Sequence, residues 1–136
     1  MLEFPGPDTA LTTILVVEDV ERSKVWYRDV LGAALYGEYG GTSVVFQFGA
    51  AWLLVVSGGG PTADKPTTTF APPRDPDTVD HSFTIRVSDC TAIYELLLSR
   101  GATFLTPPVD HGFEVRAFFR DPDGHLFEIS ELVDQS

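Results

Sequence analysis

Apolar and polar positions follow one another along this chain in two rounds of the same order. Residues 11–17 (Leu-Thr-Thr-Ile-Leu-Val-Val) are apolar and β-branched, which predicts a buried strand. Asp19 then stands where a helix needs an N-cap, with Glu21 favourable in the first turn. Val25, Trp26, Val30 and Leu31 recur at helical spacing, and Gly32 ends the run. Three short strands are predicted at 33–38, 43–48 and 51–57, separated by Tyr39-Gly40-Gly41 and Gly49-Ala50. Past residue 79 the order repeats. Residues 81–87 read as a strand, and Asp89 caps a helix carrying Ile93, Leu96 and Leu97 to Gly101. Segments 102–105, 112–120 and 125–132 read as the remaining strands.

The two rounds keep register. Val17-Glu18-Asp19 returns as Val87-Ser88-Asp89, and Leu31-Gly32-Ala33 as Arg100-Gly101-Ala102. Asp89 lies 70 residues after Asp19 and Gly101 lies 69 after Gly32, so one unit of strand, helix and three strands is duplicated. Between the copies, residues 58–79 hold five of the ten prolines and Gly58-Gly59-Gly60. That stretch excludes helix and central strand, leaving a linker or a loop laid over a site. Near the end, Asp121-Pro122-Asp123-Gly124 is a turn signal: Pro122 fixes φ, Asp121 can bond back to the chain, and Gly124 accepts positive φ. It predicts a hairpin whose second strand carries Glu128.

Composition bounds the function. With 136 residues, 43% of them hydrophobic and 21% charged, the chain can bury a core and fits one domain of residues 1–136. A net charge of −11 argues against nucleic acid and anionic membrane as partners and permits a cationic ligand. Cys90 is the single cysteine, which excludes an internal disulfide and suits a reducing compartment. It falls at a predicted helix start, where a small structural residue is the expected role. No secretory leader pattern and no apolar run of membrane-spanning length is visible, so the expected location is cytoplasmic.

The pattern Val-x-Asp-Val-Glu-Arg-Ser-x-x-Trp-Tyr-x-Asp-Val-Leu-Gly over 17–32, followed by Arg-Asp-Pro-Asp-Gly-His-Leu-Phe-Glu over 120–128, resembles the vicinal oxygen chelate superfamily. That group includes glyoxalase I, extradiol dioxygenases, fosfomycin-resistance enzymes and bleomycin-resistance proteins. The resemblance covers about residues 9–133. It implies an α+β fold of two βαβββ modules, about 9–57 and 80–133, with loop 58–79 between them. Each module would form a curved mixed sheet, with helices on the outer face and a cleft on the inner one. It also implies a homodimer.

Side chains alternate along strands, so the inner face can be assigned. Ser82, Thr84 and Arg86 should face the cleft, as should Leu126, Glu128 and Ser130. Glu114, Arg116, Phe118 and Arg120 share one side, and Thr12, Ile14 and Val16 look inward with Trp52, Leu54 and Val56. Trp52, Arg86, Glu114, Arg116, Phe118 and Glu128 are therefore the expected ligand-binding residues, an apolar wall with a few convergent polar groups.

In metal-dependent members the resemblance implies one ligand on each of four strands. Those positions fall here on Thr12, Leu54, Ser82 and Glu128, of which only Glu128 is a competent ligand. A bulge turning His81 inward would supply a second, whereas His111 and His125 should sit on a loop and a turn, where solvent exposure is the expectation. No phosphate-cradling glycine motif and no Ser/His/Asp order stands out.

Two ligand- or metal-based functions follow from this reading, beside a third, a non-enzymatic dimeric scaffold with no cleft and no ligand response. The first is a protein of the glyoxalase/bleomycin-resistance type that binds a small aromatic or polar organic ligand and needs no metal or other cofactor. The second is a metal-dependent lyase, isomerase or dioxygenase using Glu128 and His81 with a divalent Zn, Ni, Mn or Fe ion. No acid–base pair identifies a catalytic residue.

Overall fold

In the computed structural model, which describes residues 2–133, the first half runs β1 (Thr12–Val17), α1 (Val20–Trp26), β2 (Ala34–Tyr39), β3 (Ser43–Phe48) and β4 (Ala51–Ser57). The second half runs β5 (Phe83–Arg86), α2 (Cys90–Ser99), β6 (Thr103–Phe104), β7 (Val109–Asp110), β8 (Glu114–Arg120) and β9 (Leu126–Leu132). One sheet has the order β1-β4-β3-β2 and the other β5-β9-β8-β6, with β7 beside β8. β1–β4 and β5–β9 are parallel and the other pairs antiparallel, so both sheets are mixed. This is the α+β arrangement of two mixed-sheet modules that the internal repeat predicts, the second departing from βαβββ by the extra two-residue strand β7.

The helix boundaries follow from the residues that mark them. Asp19 Oδ1 accepts from Arg22 N at 3.1 Å and Asp89 Oδ1 from Ala92 N at 3.0 Å, each satisfying a first-turn amide. The first helix does not run straight to Gly32: it passes into a π-helical segment, Tyr27–Leu31, that the apolar spacing did not reveal. Gly32 closes it at φ 83°, a left-handed conformation that favours glycine. No helix among the described residues is long and apolar enough to cross a membrane.

Alternation sorts the strands into a buried outer face and an open inner one. Leu15, Val17, Val44, Phe46, Leu53 and Val55 are buried in the first module, and Ala117, Phe119, Phe127 and Ile129 in the second. On the opposite face of β1, Ile14 is 46% exposed. The predicted strand 81–87 is shorter than its pattern suggested, forming only over Phe83–Arg86 and leaving His81 and Ser82 ahead of it.

The modules share their core through α1. The ring of Trp26 lies 6.2 Å from that of Phe119 and 6.0 Å from that of Phe127, and Tyr27 sits 6.2 Å from Phe127. The Asp-Pro-Asp-Gly turn completes the junction. Asp121 Oδ2 accepts from the Tyr27 hydroxyl at 2.8 Å, while Asp121 Oδ1 holds the turn through His125 N and Asp123 N. Asp123 Oδ1 accepts from Glu18 N at 2.9 Å and from Arg22 Nη2 at 3.3 Å, ahead of and within α1. His125 was expected to face solvent. It is instead 9% exposed, with Nε2 2.8 Å from Val16 O across the module boundary.

Candidate functional site

The site is built on the inner face of the second sheet, where β5, β9 and β8 lie side by side. Register places Thr84 beside Glu128 and Phe118 across from it; one step along, Arg86 and Arg116 flank Ser130. The inner-face residues assigned from alternation therefore meet in two rows. Thr84 Oγ1 donates to Glu128 Oε1 at 2.5 Å. Glu128 Oε2 is buried and has no hydrogen-bond partner among the described residues. A buried acceptor without a donor costs about 1–3 kcal/mol, so such an atom is ordinarily completed by an ordered water or a bound group.

The second row is a charge network. Glu114 is 8% exposed and accepts from Arg116 Nη1 at 3.0 Å, from Arg86 Nη1 at 3.3 Å and from Ser130 Oγ at 2.5 Å. Arg86 Nη1 also donates to Ser130 Oγ at 2.5 Å. The Ser130 hydroxyl, with the two guanidiniums, holds the Glu114 carboxyl below the usual carboxylate range despite the opposing effect of burial. The Phe118 ring lies 5.8 Å from the Arg116 guanidinium.

A cavity of about 450 Å³ lies beside the start of β9, lined there by Leu126 and by none of Thr84, Arg86, Glu114, Arg116, Phe118 or Glu128. Its floor is Ile14, Val16 and Leu126, and its roof is drawn from residues 71–81, including Pro73, Arg74 and Val79. Leu126 and Glu128 share a face two residues apart on β9, about 7 Å along the strand. The volume falls in the range that takes drug-sized molecules. The proline-rich stretch, which the sequence left as either linker or covering loop, thus covers a cavity. Arg120 fastens it by donating to Pro76 O, and Arg120 Nη2 pairs with Asp77 Oδ1 at 3.1 Å. Gly124 admits it: a Cβ there would stand 2.9 Å from Pro76 Cβ, and φ is +96°.

Of the expected site residues, Arg86, Glu114, Arg116, Phe118 and Glu128 come together on this face with Thr84 and Ser130. Trp52 stands apart on the first sheet, edge-on to Tyr36 at 4.9 Å between ring centroids. His81 pairs through Nδ1 with Asp80 Oδ1 at 2.7 Å, packs edge-on to Phe83 and lines the cavity. The sequence marks residues 58–79 as linker or covering loop, but carries no sign of the fastening by Arg120 or of Leu126 as cavity lining. Leu126 and Arg120 were legible as inward positions, but a roof depends on where the loop lies, which no periodicity encodes.

The positions that the superfamily's metal ligands would occupy carry few competent donors in this chain. Thr12, Leu54 and Ser82 offer no imidazole or carboxylate, and among the described residues no three His, Cys, Asp or Glu side chains gather as a metal would need. The unpartnered Oε2 of Glu128 is one donor where three or four are wanted, and its neighbour Thr84 is a neutral hydroxyl. These residues do not fit a three-ligand site.

A family model described as the glyoxalase/bleomycin resistance protein/dioxygenase superfamily matches residues 9–129. A search of curated proteins returns no match. Among solved structures, a glyoxalase/bleomycin resistance protein/dioxygenase from Nocardioides aligns with a TM-score of 0.74 at 21% identity, covering 96% of this chain and 87% of its own. A lactoylglutathione lyase from Agrobacterium tumefaciens aligns at 0.62 and 20% identity, covering 92% and 94%. The Streptomyces protein TnmS3, described as antibiotic binding, aligns at 0.65 and 20% identity, covering 93% and 97%. At these identities the likeness is one of fold.

Proposed function

The chain belongs to the glyoxalase/bleomycin resistance protein/dioxygenase superfamily, and within it we propose that this protein binds a small organic molecule in the cleft without a full metal site. The observation that carries the reading is Glu128 Oε2, a buried acceptor left open on a sheet face that continues from a roofed cavity. A ligand N–H or O–H placed there would complete Glu128, while its apolar body rests on Leu126, Ile14 and Val16. Phe118 offers a ring for stacking, and Arg86 and Arg116 offer further donors. The antibiotic-binding description of TnmS3 supports this reading by analogy of fold only. In this account the protein is a cytoplasmic homodimer, in keeping with apolar side chains such as Tyr36, Phe113 and Leu132 that stand more than half exposed on a single chain.

The test fills the cavity from within. Leu126→Trp places an indole on the cavity floor, while Leu126 itself lies outside the buried core. Calorimetric titration with aromatic antibiotics should show binding to the parent protein and a loss of at least about tenfold in the variant. Equal affinity in both would place the ligand elsewhere and defeat the proposal.

A further inference from the structure

Resting on that reading of the cleft, the geometry points to a subsite for a carboxylate on the ligand, formed by the paired guanidiniums of Arg86 and Arg116. The two arginines come from β5 and β8, on either side of β9, so their backbones stand about 10 Å apart. Left alone, two cations on one sheet face repel and splay apart. Here both turn toward one anchor, Glu114, and each spends its Nη1 there. The bonds of both guanidiniums run through Nη1, and the Nε–Nη2 edge of each lies on the far side of the fork from them. That Nε–Nη2 edge is the side of the fork that grips a carboxylate with two parallel bonds. The guanidiniums remain reachable, with side chains 51% and 37% exposed, whereas the Glu114 side chain is 11% exposed. Glu114 is thus a positioning residue and the arginines are the contacts.

Charge decides which anion. Two arginines against Glu114 leave one positive charge in this row, and Glu128 stands one step away on β9. A monoanion brings the Arg86–Glu114–Arg116 group to neutrality. A phosphate dianion would leave an excess negative charge beside Glu128, in a protein whose net charge is already −11. Phe118, whose ring lies 5.8 Å from the Arg116 guanidinium, offers the ligand an aromatic neighbour close to the charged end. The ligand class is an aromatic monocarboxylate, its acid on the arginines and its ring over Phe118, reaching toward Leu126.

The experiment compares 2-naphthoate, 2-naphthamide and inorganic phosphate by calorimetric titration on the parent protein, Arg86→Gln and Arg116→Gln. The acid should bind at least about tenfold tighter than the amide to the parent. That preference should fall to about twofold or less in either variant, and phosphate should bind more weakly than the acid. If Arg86→Gln does not fold, Arg86→Lys serves, since it keeps the charge but loses the fork and should also lose most of the preference. Equal binding of acid and amide overturns the subsite and leaves the cleft reading standing. A preference that survives both substitutions, or tighter binding of phosphate, also overturns the subsite. If neither naphthyl compound binds while an aromatic antibiotic does, the carboxylate subsite fails alone; if nothing binds, both fail.

Discussion

Tyr27 and Asp121 meet across the module boundary, the phenol donating to Oδ2 at 2.8 Å in a buried setting. Tyr27 belongs to the helix of the first module and Asp121 to the hairpin turn of the second. The bond therefore fixes one module against the other, and with it the position of β9 beneath the cavity. Burial, followed by the neighbouring carboxylate, pushes the Tyr27 phenol well above its usual range, and burial likewise raises Asp121. Tyr27→Phe removes the donor and leaves Asp121 less satisfied, which should cost about 1–3 kcal/mol. Urea unfolding of the variant measures it, and a midpoint equal to the parent's would show that the bond adds nothing.

Asp123 is the second fastening. It takes the amide of Glu18, the Arg22 guanidinium and, at 3.4 Å, the Ser23 hydroxyl, while its own side chain is 3% exposed. Asp123→Ala should lower stability by about 2 kcal/mol, more than an ordinary surface carboxylate would. Unfolding of Glu95→Ala, on the exposed side of α2, supplies the comparison, with a change expected within about 0.5 kcal/mol.

The repeat, the caps and the face assignments were legible because each rests on local chemistry. Asp19 and Asp89 cap where the spacing puts them, and Phe119, Phe127 and Ile129 fall on the buried face because β-strands alternate. The turn at 121–124 was legible as a turn but not as a junction. Its partners, Tyr27 and Glu18, lie about a hundred residues away, and no local rule links such positions. His125 departs from the expected exposure for the same reason: a histidine beside a turn has no sequence mark for a carbonyl, here Val16 O, in the other module. The π-helical segment at 27–31 and the shortening of β5 are products of packing, and periodicity is blind to both. The site was half legible. Alternation brought Arg86, Glu114, Arg116, Phe118 and Glu128 together, but it could not show that Arg120 would hold a roof over Leu126.

Gly124 gives that roof its seat. An alanine there meets Pro76 at 2.9 Å and must hold a positive φ. Gly124→Ala should cost about 1–3 kcal/mol and free residues 74–80, seen as faster amide exchange in that segment. Unchanged exchange would mean the segment is held by Arg120 alone.

Stability should fall in acid partly through Glu114. Its carboxyl titrates lower in the folded chain than in the unfolded one, held down by Ser130, Arg116 and Arg86. Its contribution is present above the unfolded carboxyl range near pH ~4.3 and is lost as pH drops through the lower folded value. Glu114→Gln should flatten the decline of stability below about pH 5. An identical acid limb in both proteins would contradict this assignment.

Thermal unfolding of chelator-treated protein distinguishes a cleft that takes an organic ligand without metal from one that depends on metal. The protein is scanned against aromatic antibiotics and aromatic carboxylates, and separately against Zn, Ni, Mn and Fe ions. An upward shift is expected with at least one organic compound in the absence of metal, diminished in Glu128→Ala. Stabilisation by a divalent ion alone, abolished in Glu128→Ala, with no response to any organic compound, would contradict it.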